Sequence, residues 1–242
     1  MSALPEKKVK LSEEVDDIVM DSSTATTTEA DNAADGKQKR LDLCFALDVT
    51  GSMQSYIDAA RENVRNIMRD IVVAEKCDVR FAMVVYRDHP PQDSTFVTKT
   101  LDFGGDMGQV QSFLDELVAR GGGDGPEAVG AALLAVKNLS WRADDEEGDV
   151  AKVCVFIADA PPHGLGENGD GFAQGPPDGS DAVRASAEVA EAGIVVYSVG
   201  CEPSLSRSYQ YAADFFASLA DRTGGQFLPL ASAKLLADVV VG

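Results

Sequence analysis

Positive charge is scarce in this 242-residue chain, which sets 21 Lys+Arg against 40 Asp+Glu for a formal net charge of -19. Phosphate backbones need a basic face, so nucleic acid is excluded as an expected partner. Docking on anionic lipid is excluded on the same ground. Long apolar runs are missing too. No stretch approaches the roughly 18 residues of a membrane helix, and the opening MSALPEKKVKLSEEVDD is too charged for a secretory signal. A cytoplasmic location is the expectation. Histidine is nearly absent, with only His89 and His163. The four cysteines, Cys44, Cys77, Cys154 and Cys201, are too far apart for a zinc knuckle. Three of them sit in or beside apolar runs and read as buried, reduced thiols.

What is abundant is carboxylate, on an otherwise ordinary background of 45% hydrophobic and 25% charged residues. An acidic chain repels polyanions but attracts cations, so a divalent metal is the first cofactor to seek. The acidity belongs mainly to one part of the chain. Residues 1–40 hold only 6 basic and 9 acidic residues, and DSSTATTTEADNAADGKQKR has almost no large apolar side chain. Such a stretch cannot bury enough surface to offset its ordering entropy, and reads as a disordered tail. Residues 41–242 read as one folded domain.

In that domain, strand-like runs alternate with helical ones. LDLCFALD (41–48), CDVRFAMVVYRD (77–88), VAKVCVFIADA (150–160) and GIVVYSVG (193–200) are short apolar runs suited to buried strands. STFVTKTLDF (94–103) alternates, and pairs with the second run as a hairpin. Helical spacing marks 53–75, 106–120, 126–139 with Pro126 at its first position, 181–192, 206–225 and SAKLLADVVV near the end. QFLPL is a short last strand. The alternation predicts an α/β fold: a doubly wound, mostly parallel sheet, Rossmann-like, with helices on both faces and one antiparallel edge strand. Ligands in such folds bind outside the carboxyl ends of the strands.

The chemistry gathers there. The first strand ends in Asp48-Val49-Thr50-Gly51-Ser52-Met53, with oxygen-bearing side chains at i, i+2 and i+4. A helix N-cap would explain Thr50 or Ser52 alone; it does not explain all three. GGGDG (121–125) supplies Asp124, with Glu127 following, and the third long strand ends at Asp159 before Ala160-Pro161-Pro162-His163-Gly164. If the first and third of these strands are neighbours, Asp48 and Asp159 end side by side. Hard oxygen donors without paired His or Cys suit Mg2+, Mn2+ or Ca2+. The metal-ligand candidates are Asp48, Thr50, Ser52, Asp124 and Asp159. His163 lies on the metal-side loop, where it shapes the site and can hydrogen-bond an acid.

DVTGSM after an apolar strand, YRDH after the second, GGGDGPEAV before a helix and IADAPPHG after the third together resemble a von Willebrand factor type A domain, across about residues 41–240. The wording is similar to that of intracellular members such as the domain attached to alpha-kinases. The resemblance implies a metal ion-dependent adhesion site. Thr50 and Ser52 would be direct hydroxyl ligands. Asp48 and Asp159 would hold a divalent cation, Mg2+ first among them, directly or through water. A protein partner at that face would complete the coordination, and no turnover is implied. Where the family usually places a Thr, this chain reads Gly121-Gly122-Gly123-Asp124-Gly125, so Asp124 replaces it or a backbone group or water fills the position. An added carboxylate favours metal binding over capture of an acidic partner.

Other readings are weaker. Gly164-Leu-Gly166-Glu-Asn-Gly169 matches a dinucleotide fingerprint by letter, but does not open a helix directly after a strand. Metal-dependent phosphoryl transfer through Asp48 stays open as an alternative, although Thr50 stands where such enzymes carry a second acid. Aspartic-protease wording is broken by Val49, and no Gly-x-Ser-x-Gly elbow supports a Ser-His-Asp hydrolase. An interaction scaffold with a structural or vestigial metal site is the other alternative. Asp144–Asp149 reads as solvated surface, Trp141 as a helix-end core residue, and Tyr197, Tyr209 and Tyr211 as packing of helix on sheet. The oligomeric state and the partner's identity are not legible.

Overall fold

The computed structural model describes residues 39–62, 78–104, 106–146 and 148–232. The N-terminal tail, the second half of the helix expected over 53–75, Cys77 and the last helix lie outside them. Six strands form one sheet: β1 (Arg40–Asp48), β2 (Asp78–Tyr86), β3 (Thr98–Gly104), β4 (Val150–Ala158), β5 (Val195–Cys201) and β6 (Phe227–Leu230). Their order is β3-β2-β1-β4-β5-β6. All neighbours are parallel except β2 and β3, the expected hairpin at the edge. The helices are α1 (54–62, its described part), α2 (Met107–Asp115), α3 (Val129–Lys137), α4 (Ala182–Glu191), α5 (Ser204–Ser208) and α6 (Ala212–Thr223).

β1 shows why this sequence folds in this way. All nine of its residues are buried, because helices cover both faces of a central parallel strand. The period of two sorts its side chains. Leu41, Leu43, Phe45 and Leu47 pack with Ile57 of α1 and Val110 and Leu114 of α2. Cys44 and Ala46 pack on the other face with Leu133 and Val136 of α3, Val189 of α4 and Phe216 of α6. Cys44, Cys154 and Cys201 are buried free thiols, and Tyr197 lies within the core.

Three helices differ from the sequence reading, and the one expected over 106–120 ends at Asp115. Pro126 does not open a helix; α3 begins at Val129. The Glu127 amide donates instead to the Pro161 carbonyl at 2.9 Å and the Ala128 amide to the Arg87 carbonyl at 3.0 Å, so residues 125–128 join the sheet edge as a short extended strap. The helix expected over 206–225 is broken into α5 and α6. At the break, the Gln210 and Tyr211 amides donate to the Glu167 carboxylate at 3.0 and 2.7 Å, and the Tyr209 hydroxyl donates to the Gly125 carbonyl at 3.0 Å. A carboxylate accepting two amides competes with the helix for them. Tyr209 therefore packs against the core as expected while its hydroxyl reaches the GGGDG loop, and Tyr211 is exposed rather than pinning helix to sheet. Trp141 is only partly buried; it donates to the Val136 carbonyl at 2.8 Å and stands edge-on to Phe103. Within the acidic run, the exposed Asp145 pairs with Arg40 at 2.7 Å and Asp144 accepts from the Val150 amide at 2.8 Å.

The amino edge of the sheet carries a separate charge network. Asp42, fully buried on β1, accepts from the Arg80 guanidinium at 2.6 and 2.9 Å and from the Arg142 backbone and side chain at 2.7 and 2.8 Å. Removing the acid leaves two half-buried guanidinium groups without their acceptor. Asp42→Ala is expected to cost about 3 kcal/mol, as for other broken buried pairs, read as a lower denaturant midpoint at unchanged slope.

Candidate metal centre

β1 and β4 are hydrogen-bonded neighbours, with Leu47 opposite Ile157. Asp48 ends β1, and Asp159 follows β4 directly, so the two acids stand side by side at the carboxyl edge. Asp48 is fully buried. Its Oδ1 accepts from the Thr50 amide at 2.8 Å and the Thr50 hydroxyl at 2.6 Å. Thr50 thus serves Asp48 rather than capping the short helical turn Gly51–Met53, where no side-chain cap forms. Ser52 is exposed, and its hydroxyl faces Asp159, partly offsetting the rise in that acid's pKa caused by burial.

The GGGDG loop is strapped to this turn. The Arg120 amide donates to the Val49 carbonyl and the Gly51 amide to the Gly121 carbonyl, both at 3.3 Å. Gly122 has a φ of 80°, and a Cβ there would lie 2.6 Å from Glu127 Oε1 and 3.5 Å from Thr50 Cβ. Only glycine fits such a backbone so close to a carboxylate. The result is that Glu127, 3% exposed, enters the space beside Thr50.

Clustered carboxylate is what distinguishes this edge. Burial, then Asp159, pushes Asp48 up from the ordinary 3.8 to about 8. Burial, then Asp48, Asp88, Asp124 and Asp159, pushes Glu127 from 4.5 to about 11. Asp48 Oδ2, Glu127 Oε2, Asp159 Oδ1, Asp88 Oδ2 and Asp124 Oδ1 are each buried without a hydrogen-bond partner, as is the Tyr86 hydroxyl. Buried polar atoms are normally satisfied, and orphan carboxylate oxygens beside two hydroxyls are donors of the kind a hard divalent cation takes. The residues present fit one.

The five sequence-predicted residues fall into two neighbouring groups. Asp48, Thr50, Ser52 and Asp159 stand together. Asp124 is half-buried; its Oδ2 accepts from the Gly171 amide, and its strongest charged neighbours are Asp88 and His163. Asp88, Asp124 and His163 offer ligand atoms all within 4.8 Å of one another. Both ring nitrogens of His163 are already engaged, Nε2 with Asp88 Oδ1 and Nδ1 with Asp170 Oδ1, each at 2.7 Å. His163 does hydrogen-bond an acid, as its loop position suggested. Glu127 faces both groups. Asp88 and Glu127 lay inside the quoted YRDH and GGGDGPE motifs, but nothing in their spacing marked them as buried.

Residues 42–144 match the von Willebrand factor A domain family. The chain is 26% identical over 182 residues to the alpha-protein kinase vwkA of Dictyostelium discoideum, covering 66% of this chain and 28% of that protein. It is 27% identical over 204 residues to an ariadne-like RING finger protein of Acanthamoeba polyphaga mimivirus, covering 81% of this chain and 19% of that one. The chain thus spans less than a third of either relative. Its fold is similar to the pilus adhesin SpaC of Lactobacillus rhamnosus GG, with a TM-score of 0.60 at 14% identity over 84% of this chain and 30% of that one. It is also similar to an aerotolerance-related membrane protein of Bacteroides fragilis, with a TM-score of 0.50 at 17% identity over 83% of this chain and 96% of that one. Among the described residues, no helix is long and apolar enough to cross a membrane.

The raised acids set a pH dependence. An acid whose pKa is higher folded than unfolded holds an extra proton in the folded state, so stability falls as pH rises between the two values. For Asp48 that window runs from 3.8 to about 8, and for Glu127 from 4.5 to about 11. Metal-free protein is expected to lose stability steadily from pH 5 to pH 8, in denaturant melts at each pH. Asp48→Asn, which keeps an acceptor for Thr50, should flatten that decline.

Proposed function

We propose that this is a divalent-metal-dependent protein-binding domain. Asp48, Thr50, Ser52 and Asp159 hold the cation, Glu127 borders it, and Asp124 stands one step away beside Asp88. The observation that carries the reading is the set of orphan buried carboxylate oxygens on Asp48, Glu127 and Asp159, which a cation would satisfy together. Mg2+ is the first choice because the donors are all hard oxygens. Ser52 is the exposed member of the set, so the open side of the site faces solvent, where a partner group would complete the coordination. Loops 88–94, 121–125 and 160–180 surround it and set partner choice.

No turnover is proposed. Asp48 is fully buried with one oxygen tied to Thr50, which weighs against in-line attack on a phosphate by that carboxylate. Von Willebrand factor A domains generally mediate interactions between proteins, and the adhesin likeness extends to fold. We infer a cytoplasmic setting from three buried thiols held free, and take residues 41–242 as the folded unit and 1–40 as an acidic tail.

Titration calorimetry of metal-free protein with Mg2+, Mn2+ and Ca2+ tests the site. Saturable binding is expected for the wild type and not for the Asp48→Ala, Ser52→Ala double variant. Mg2+ at 100 times its dissociation constant should stabilise the wild type by about 2.7 kcal/mol. No saturable binding to folded wild type would remove the cation from the mechanism.

A further inference from the structure

The acidic edge already contains one positive charge, in a place a metal could take. Asp88, Asp124 and His163 present ligand atoms within 4.8 Å of one another, yet the His163 ring is committed at both ends. Nε2 meets Asp88 Oδ1 and Nδ1 meets Asp170 Oδ1, each at 2.7 Å, and the three side chains are 1% exposed or less. Where both carboxylates are ionised they only accept, so both ring nitrogens donate, and a ring donating from both is an imidazolium. Burial opposes that charge, but the hydrogen bonds to Asp88 and Asp170 outweigh it and hold the pKa of His163 above the ordinary value.

The same charge closes a loop. Asp170 also accepts from the Gly164 and Phe172 amides, both at 2.8 Å, so residues 163–172 form a ring drawn around one carboxylate. The Gly171 amide donates to Asp124, and the Phe172 ring stands edge-on to His163 at 4.8 Å. The motif that imitates a dinucleotide fingerprint is this loop. Its amides are spent on Asp170, and its Glu167 carboxylate on the amides of residues 210 and 211.

We propose that His163 is a resident cation of the site: an imidazolium that occupies the place of a second divalent ion beside Asp88 and Asp124 and clamps the 163–172 loop to the sheet edge through Asp170. It is a positioning residue. The loop next to the metal edge is then pre-organised whether or not the first cation is bound, and the wild type takes one cation, not two. The single-cation count rests on the proposed metal site; the clamp does not.

The test is Mn2+ titration calorimetry on the metal-free full chain, with hydrogen exchange of the Gly164, Gly171 and Phe172 amides. His163→Gln is expected to bind one Mn2+ more than the wild type. Those three amides should exchange about tenfold faster in it, the worth of one charge-assisted hydrogen bond, and slow again when Mn2+ is added. His163→Lys, which keeps a positive charge, should restore the wild-type count. Equal counts in wild type and His163→Gln would overturn the inference, and so would an extra ion in His163→Lys. A wild type that binds none beside a His163→Gln that binds one would overturn the proposed function and keep the inference; one ion in each would do the reverse. Should His163→Gln not fold, Asp170→Asn must speed the same three amides, and unchanged exchange there would overturn the clamp.

Discussion

Repulsion among buried carboxylates at the carboxyl edge of the sheet is the constraint around which this molecule is arranged. Asp48, Asp88, Asp124, Glu127 and Asp159 are brought together by strand ends and loops, and every orphan oxygen among them is a free-energy cost that folding alone does not offset. The rest of the sheet carries that cost. β1 is buried along its whole length and β4 at every residue but Lys152, between two helical layers, so the apolar core holds the acids in place against their own repulsion. A cation at the edge relieves the repulsion, which links metal binding, stability and acidity in one site.

The two ends of the sheet handle charge in opposite ways. At the amino edge Asp42 is matched by two guanidinium groups and is saturated with hydrogen bonds. Among the described residues, no arginine enters the cluster at the carboxyl edge. Arg87, the near candidate, is turned aside: it donates to Thr95 and the Val118 carbonyl and lies over the Phe96 ring. Two arginines neutralise the buried acid of the amino edge, while at the carboxyl edge Arg87 lies 3.9 Å from the buried Asp93 and leaves the five-acid cluster open to a cation. His163 supplies the single internal charge there, and it serves the loop.

Much of the architecture was legible because its signals are local. Continuous apolar runs marked β1, β2, β4 and β5, the DHPPQD turn marked the antiparallel hairpin, and Gly224 stopped α6 with a left-handed φ of 82°. The misread boundaries had non-local causes. Nothing near Tyr209 in the chain says that Glu167 will take the next two amides, and nothing near Pro126 says that the amides after it will bond to Pro161 and Arg87. The site divided in the same way. Asp48, Thr50, Ser52 and Asp159 stood out by position at strand ends, whereas Glu127 and Asp88 resembled ordinary loop acids until the fold buried them.

The sequence by itself determined the sheet, the edge where chemistry collects and the residue types that make that chemistry metal-like, because strand periodicity and strand-end position are properties of neighbouring residues. Tertiary structure alone decided the grouping. It brought Glu127 and Thr50 to the Gly122 turn, turned Asp124 toward Asp88, and closed the 163–172 loop on Asp170. Those contacts join Asp88 to His163 and Asp124 to Gly171, residues far apart in the chain. Which carboxylate faces which is settled by packing and by the low dielectric of the interior, and no local pattern of residues encodes it.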